Sequence, residues 1–419
     1  MSQRFLYLIC SAVSGFFGWL IAIILSIFII LVWLFFSLVY SVFETCFVSN
    51  DTEYTNSSLN DCMRQLCFQY AFQEEIISVK ISTSTLPVTV HCVKKCATET
   101  CRQTVIFVHG TASCSATFFD VMKKCPDYVT CIAIDLPKFG ISDDLSINGV
   151  SNSEICVVFA EIIAAAITSL HAHDVVLVGH SLGGMICVTV AHKHPSLVRK
   201  LILLDPAGLL PTLGVYGYYW AVFFKLGIPS SIAKYRIFQV LLSPVATLFF
   251  DHSVTSKFWR KFISCKHATG HEILQRFITL RPFHAFWNTP VIARLLDISC
   301  PVFLCYGSDD TIIPSHMGSF FQELTGGVIQ THVITGAFHS PWSSLEVFME
   351  YFVRILDCTV GQSSNKFDMR LVNATLASLM DSHWKNSYHS LCLTQLSIKS
   401  TYQEFKNIQV HQRNSAQTS

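Results

Sequence analysis

A chain of 419 residues is long enough for one large domain or two or three ordinary ones, so core size sets no limit on it. With 51% hydrophobic and 14% charged residues it falls well below the roughly one quarter of charge usual in soluble domains, and contact with lipid is expected somewhere along it. A net charge of +1 with no polybasic or polyacidic run excludes the electrostatic footprint of a nucleic-acid binder.

No Asp, Glu, Lys or Arg occurs between Arg4 and Glu44, in a stretch dominated by Leu, Ile, Phe and Val. Residues 1–45 therefore read as a membrane anchor. As one helix the run would reach about 58 Å, against a hydrocarbon core of roughly 30 Å, yet it is too short for two full spans and a turn. One tilted span with an interfacial extension, bending near Gly15 and Gly18, fits best; the apolar part is too long for a cleaved signal peptide. Arg4 precedes the span while Glu44, Asp51 and Glu53 follow it, which places the body in the lumen or outside; the alternative is the cytosolic face of an internal membrane. Acceptor sequons at Asn50, Asn56 and Asn373 agree with a lumenal, glycosylated body. Residues 46–73 form a linker containing cysteines. Cys62, Cys67, Cys92, Cys96 and Cys101 can be read either as disulfide partners or as reduced thiols, and their spacing matches no zinc template.

From residue 74 short β-rich runs alternate with helical ones. "EEIISVKIS", "LPVTVHCV", "TVIFVHG" and "VTCIAID" read as strands, followed by a helix from Asn152 to Leu170, the strand "DVVLVGH", a helix from Leu182 to His194 and the strand "KLILLD". This is the rhythm of a parallel sheet with crossover helices, its central strands apolar throughout because both faces are covered. The rhythm stops for some ninety residues and resumes at "CPVFLCYG", a helix, the strand "IQTHVIT" and a last helix from Trp342 to Leu356. Residues 74–206 and 298–358 are thus two parts of one core, and the aromatic-rich segment 207–297 reads as a helical cap over the carboxyl ends of the strands. Residues 359–419 are rich in Ser, Asn, Gln and Thr and read as a largely disordered tail, with a short helix possible around 371–379.

Chemistry is expected at Gly179-His180-Ser181-Leu182-Gly183. Ser181 follows an apolar strand and precedes a helix, the context of a nucleophile elbow, in which the sharp turn exposes the hydroxyl and the Leu182 N–H faces a developing oxyanion. A hydroxyl is a weak nucleophile until a base takes its proton, and His339, in the loop after "VIT", is the candidate base. His332 falls inside a strand, and His180 is read as a neighbour that the turn points elsewhere. The imidazole needs a carboxylate to hold its tautomer. Asp310 in "GSDDTIIP" is favoured, with Asp309 beside it and Asp205, one strand earlier, as alternatives. The loop "FVHGTAS" supplies a second oxyanion donor, the Thr111 N–H, with His109 and Gly110 shaping that loop.

Four separated segments, "HGTAS", "DLPKFGISD", "GHSLGG" and the pair "GSDDTIIP" with "GAFHSP", together resemble the α/β-hydrolase superfamily over residues 74–356. The resemblance implies an α/β-hydrolase fold: a mostly parallel eight-stranded sheet with helices on both faces and an inserted helical cap. Ser181 argues against the epoxide hydrolases and haloalkane dehalogenases, which carry aspartate at that place. The N-terminal anchor and apolar cap are similar to those of membrane-bound monoacylglycerol-lipase-like members. Lys138 and Phe338 depart from the pattern, replacing a glycine and a small residue, and the HxxxxD signature of acyltransferase-type relatives is missing, since Ser344 stands at its last position. The reading is a serine esterase or lipase that cleaves an apolar, lipid-like ester at a membrane, with no metal or organic cofactor. An amidase, thioesterase or carbon–carbon hydrolase on the same fold is the alternative, and a non-catalytic binding protein is the alternative of another class.

Overall fold

A computed structural model describes residues 59–81, 87–111, 113–137, 139–142, 152–209, 291–325 and 327–358. The expected anchor, the three sequons, Lys138, all but the two ends of the expected cap, and the polar tail with its short helix lie outside these residues. Among the described residues no helix is long and apolar enough to cross a membrane.

The strands are β1 (Gln73–Val79), β2 (Val88–Lys95), β3 (Gln103–Val108), β4 (Val129–Ile134), β5 (Val175–His180), β6 (Val198–Leu204), β7 (Val302–Gly307) and β8 (Gln330–Ile334). They form one eight-stranded sheet in the order β1-β2-β4-β3-β5-β6-β7-β8. β1 and β2 pair antiparallel with each other, β2 pairs antiparallel with β4, and every pairing from β4 to β8 is parallel. β5 lies between β3 and β6 and is buried at all six positions, as expected of a strand with both faces covered.

The period-two alternation of the strands divides the core into two layers. Ile106 and Val108 of β3 face one layer, while Val105 and Phe107 face the other. On the first side pack α3 (Asn152–Ser169) and α4 (Leu182–Lys193); on the second pack α2 (Phe119–Lys124) and α7 (Leu345–Asp357). The short α5 (Ile292–Leu296) packs on α4, and α6 (His316–Leu324) packs on β8.

The segment read as a linker contains a helix, α1 (Leu59–Tyr70), that packs into the second layer. Met63, Leu66, Cys67 and Tyr70 recur at helical spacing; Met63 and Cys67 are buried, and the Tyr70 hydroxyl donates to Asp120 Oδ1 at 2.7 Å. The described cysteines named as possible disulfide partners, Cys67, Cys92, Cys96 and Cys101, are free thiols. Cys67 and Cys92 lie in opposite core layers, and burial pushes the Cys67 thiol up to about 12.

Two polar ties hold the sheet to its surroundings. The buried Lys200 of β6 donates its ammonium to the backbone carbonyls of Ile355, Leu356 (3.1 Å) and Cys358 (3.0 Å), capping the carboxyl end of α7 with a cation. His91 of β2 bridges Asp135, at 2.8 Å, and Glu74 of β1, at 3.2 Å, joining the antiparallel edge to the end of β4.

Candidate active site

The turn between β5 and α4 is strained. Ser181 has φ 51° and ψ −115°, a conformation that a side-chain-bearing residue seldom adopts, and it is held there by three backbone hydrogen bonds. Its N–H donates to Leu204 O at 3.0 Å, and its carbonyl accepts from Gly184 and Ala207, each at 3.0 Å. The turn is also pressed against the end of β3. A Cβ at Gly183 would stand 2.2 Å from the Val108 carbonyl oxygen, so only glycine lets α4 begin this close to the sheet. On the other side Gly110 approaches so closely that a Cβ there would come within 2.9 Å of the Ser181 Cβ.

The loop carrying Gly110 is fixed by His109. This ring is fully buried, and burial holds its pKa below the ordinary value; it donates from Nδ1 to Gly110 O (2.7 Å) and accepts the Leu136 N–H at Nε2 (3.0 Å). Leu136 belongs in turn to a loop organised around Asp135. That carboxylate accepts the backbone N–H groups of Ser115 (2.5 Å) and Ile141 (3.0 Å) as well as the His91 ring. Burial alone would raise its pKa, but His91, His109 and the Ser115 amide hold it below the usual range. Gly140 sits over this carboxylate at φ +54°, where a Cβ would be 2.0 Å from Asp135 Oδ2. "HGTAS" and "DLPKFGISD" are therefore two halves of one hydrogen-bonded scaffold that sets the height of the loop around Thr111.

The structure brings Ser181, His339 and Asp310 together. His339 Nε2 lies 3.0 Å from Ser181 Oγ, and its Nδ1 lies 2.7 Å from Asp310 Oδ2. Asp310 Oδ1 accepts the N–H groups of Ile312 (2.7 Å) and Ile313 (3.0 Å), so its carboxylate is clamped by the turn that follows β7. These contacts make His339 a hydrogen-bond acceptor toward the serine and a donor toward the carboxylate. In that tautomer an imidazole can take the hydroxyl proton. Thr111 is half-buried beside the elbow, and Leu182 is the first residue of α4, so its N–H is one of the amides left without an intrahelical acceptor.

The alternatives for the acid separate clearly. Asp309 is exposed and accepts from the Ser308 hydroxyl at 2.7 Å, whereas the carboxylate bonded to His339 is that of Asp310. Asp205 is fully buried at φ +40° and accepts the Gly307 N–H at 3.0 Å. Burial, with the charge of Asp310 beside it, holds the Asp205 carboxyl well above the usual carboxylate range. Asp205, Asp310 and His339 are the one group among the described residues whose ligand atoms lie close enough to share a metal ion, within 4.8 Å of one another. Hydrogen bonds to each other and to backbone amides already use most of those atoms.

His180 requires a correction. It was expected to point away from the site, but its ring packs on His339 with centroids 4.9 Å apart, and its Nε2–H donates to His339 O at 2.7 Å. As the last residue of a strand buried on both faces, its side chain has only the protein interior to enter. Burial and the neighbouring His339 keep its pKa well below the ordinary value, so it stays neutral. No local signal marks this contact, because its partner is 159 residues away. His332 stacks on Tyr351 at 4.0 Å and serves packing, and Phe338 is half exposed.

Comparison with known proteins agrees with the fold. A family model described as the alpha/beta hydrolase fold matches residues 103–342. An uncharacterized hydrolase of Bacillus subtilis, YugF, is 28% identical over 241 residues, covering 56% of this chain and 83% of its own. The 2-(acetamidomethylene)succinate hydrolase of Mesorhizobium japonicum is 38% identical over 101 residues, 24% of this chain and 34% of that enzyme. Among solved structures, the carboxylesterase CesB of Bacillus subtilis aligns with a TM-score of 0.54 at 18% identity, over 72% of this chain and 98% of its own. An esterase from Thermogutta terrifontis aligns at 0.51 and 18%, over 67% and 98%. At such identities the structures speak for the fold alone.

Proposed function

The chain belongs to the alpha/beta hydrolase fold family, and from that premise we propose that it is a membrane-anchored serine hydrolase cleaving an apolar carboxylic ester of the monoacylglycerol type. The observation that carries the reading is the continuous hydrogen-bonded line from Ser181 Oγ through His339 to Asp310, at 3.0 and 2.7 Å, starting from a strained strand-to-helix turn.

In this reading Ser181 attacks the ester carbonyl while His339 Nε2 takes its proton, and Asp310 stabilises the imidazolium from the far side. The Leu182 and Thr111 N–H groups receive the tetrahedral oxyanion, an interaction stronger in the transition state than in the ground state. His339 then returns the proton to the departing alcohol. An acyl-enzyme remains, and water activated by the same ring hydrolyses it. Support for a lipid-like substrate comes from the uncharged run between Arg4 and Glu44 and from the aromatic-rich insertion between β6 and β7.

A panel of p-nitrophenyl esters of increasing chain length, assayed on the full chain in detergent, tests this. The expected result is an initial burst of one nitrophenol per protein, steady turnover rising with chain length, and a loss of about 10³-fold or more in Ser181→Ala. A burst undiminished in that variant contradicts the assignment. Preference for the shortest esters contradicts the lipid-like substrate.

A further inference from the structure

Asp205 is a second carboxyl group in the site, and the hydrolytic cycle above does not use it. It closes β6, fully buried, in a left-handed backbone conformation at φ +40° that its N–H bond to Cys305 O (2.8 Å) helps to hold. Oδ1 accepts the Gly307 N–H, whereas Oδ2 is buried and receives no donor. The ligand atoms of Asp205, Asp310 and His339 all lie within 4.8 Å of one another. Three donors converge on Asp310: two backbone N–H groups and the His339 ring.

Two buried carboxyl groups this close do not both ionise. The charge stays where donors are most numerous, on Asp310. The proton then belongs on Asp205, whose one unpartnered oxygen becomes a hydroxyl with the Asp310 carboxylate as its acceptor.

We propose that Asp205 is a positioning residue, present as a neutral carboxylic acid that donates a hydrogen bond to Asp310 and so fixes the carboxylate that orients His339. The proposal rests on the Ser181–His339–Asp310 reading and extends it to a fourth member. Asp205 transfers no proton in the cycle; its O–H stays in place while His339 gains and loses the serine proton. Its O–H shares the negative charge of Asp310.

The shared proton is visible without any activity. In full-length protein labelled with 13C-carboxyl aspartate, the infrared spectrum at neutral pH is expected to hold a protonated carboxylic acid band that disappears in Asp205→Asn; absence of the band overturns the proposal. The second arm follows the pH dependence of labelling by a fluorophosphonate. Asn at 205 keeps an acceptor for Gly307 and an N–H donor for Asp310, so its rate is expected within about threefold of wild type with the midpoint unmoved. Asp205→Leu removes both and is expected to label at least about tenfold more slowly, with the midpoint raised. If Asp205 were an ionised acid, Asp205→Asn would lower the midpoint by about a unit and slow the reaction, which overturns the proposal. Unlabelled wild-type protein that still shows the acid band refutes the reactive triad, and the positioning role with it, while leaving the shared proton in place.

Discussion

At Ser181 an unfavourable backbone conformation, costing on the order of 1–3 kcal/mol, is held by three backbone hydrogen bonds and by glycines on either side. Its neighbour His180 holds the opposite wall. Through its bond to His339 O it fixes the backbone of the loop that carries His339, and its ring packs between His339 and Trp342. His180→Phe keeps an aromatic ring and removes the donor, leaving His339 O unpaired. The expected result is a stability loss of about 1–3 kcal/mol by denaturant titration and a labelling rate lowered about tenfold. Because His180 stays neutral, the variant is expected to keep the wild-type pH profile; a displaced profile contradicts the assignment of a purely positional role. Ser181, His339 and Asp310 were legible in the sequence because each stands at the carboxyl end of a strand, where the rhythm of apolar runs marks it. The contacts of His180 and Asp205 were not. Each depends on a residue more than a hundred positions away, and no spacing rule connects them.

Among the elements, α7 shows how a long-range tie replaces a local signal. Its core face, Phe348 and Phe352, is readable from period alone, but its carboxyl end is closed by Lys200, a cation on a strand interior that sequence reasoning would place in water. Lys200→Met keeps the buried stem and removes the ammonium from three carbonyls, of which Ile355 O retains the Cys358 N–H. It is expected to lower stability by about 1–3 kcal/mol and to increase hydrogen exchange in the last turn of α7 before that of α4; unchanged exchange there contradicts the capping role. The loop from Asp135 to Ser142 makes a similar point. Its glycine was read as part of a motif, while the physical requirement is the carboxylate beneath Gly140. Gly140→Ala is expected to displace the Asp135 carboxylate from the Ser115 and Ile141 amides, with a cost of about 2 kcal/mol or more in thermal melts. The helix α1 was missed for a different reason: cysteines drew the reading toward disulfides, although Met63, Leu66, Cys67 and Tyr70 carry helical spacing.

For the molecule as a whole, the antiparallel edge is joined to the parallel sheet by His91, between Asp135 and Glu74. Burial alone would lower the pKa of this histidine, yet the two carboxylates raise it above its ordinary 6.5. Its contribution to stability is therefore full below about pH 6.5 and is lost as pH rises through the higher folded-state value. His109 and His180, buried neutral, act in the opposite sense below 6.5, so the difference between wild type and His91→Gln isolates the tie. That difference is expected to shrink between pH 6 and 9; a constant or widening gap contradicts a charged His91. The succession of strands along the chain was readable because a two-sided parallel sheet writes itself as continuous apolar runs, whereas the insertion between β6 and β7 has no such regularity to read. The central claim is that Ser181 is a nucleophile activated by His339, and covalent labelling of the full chain by a fluorophosphonate, located by peptide mass spectrometry, tests it most directly. The account predicts one adduct on Ser181, abolished in Ser181→Ala and slowed at least about a hundredfold in His339→Ala. Folded wild-type protein that takes up no probe, or carries it on another residue, would contradict it.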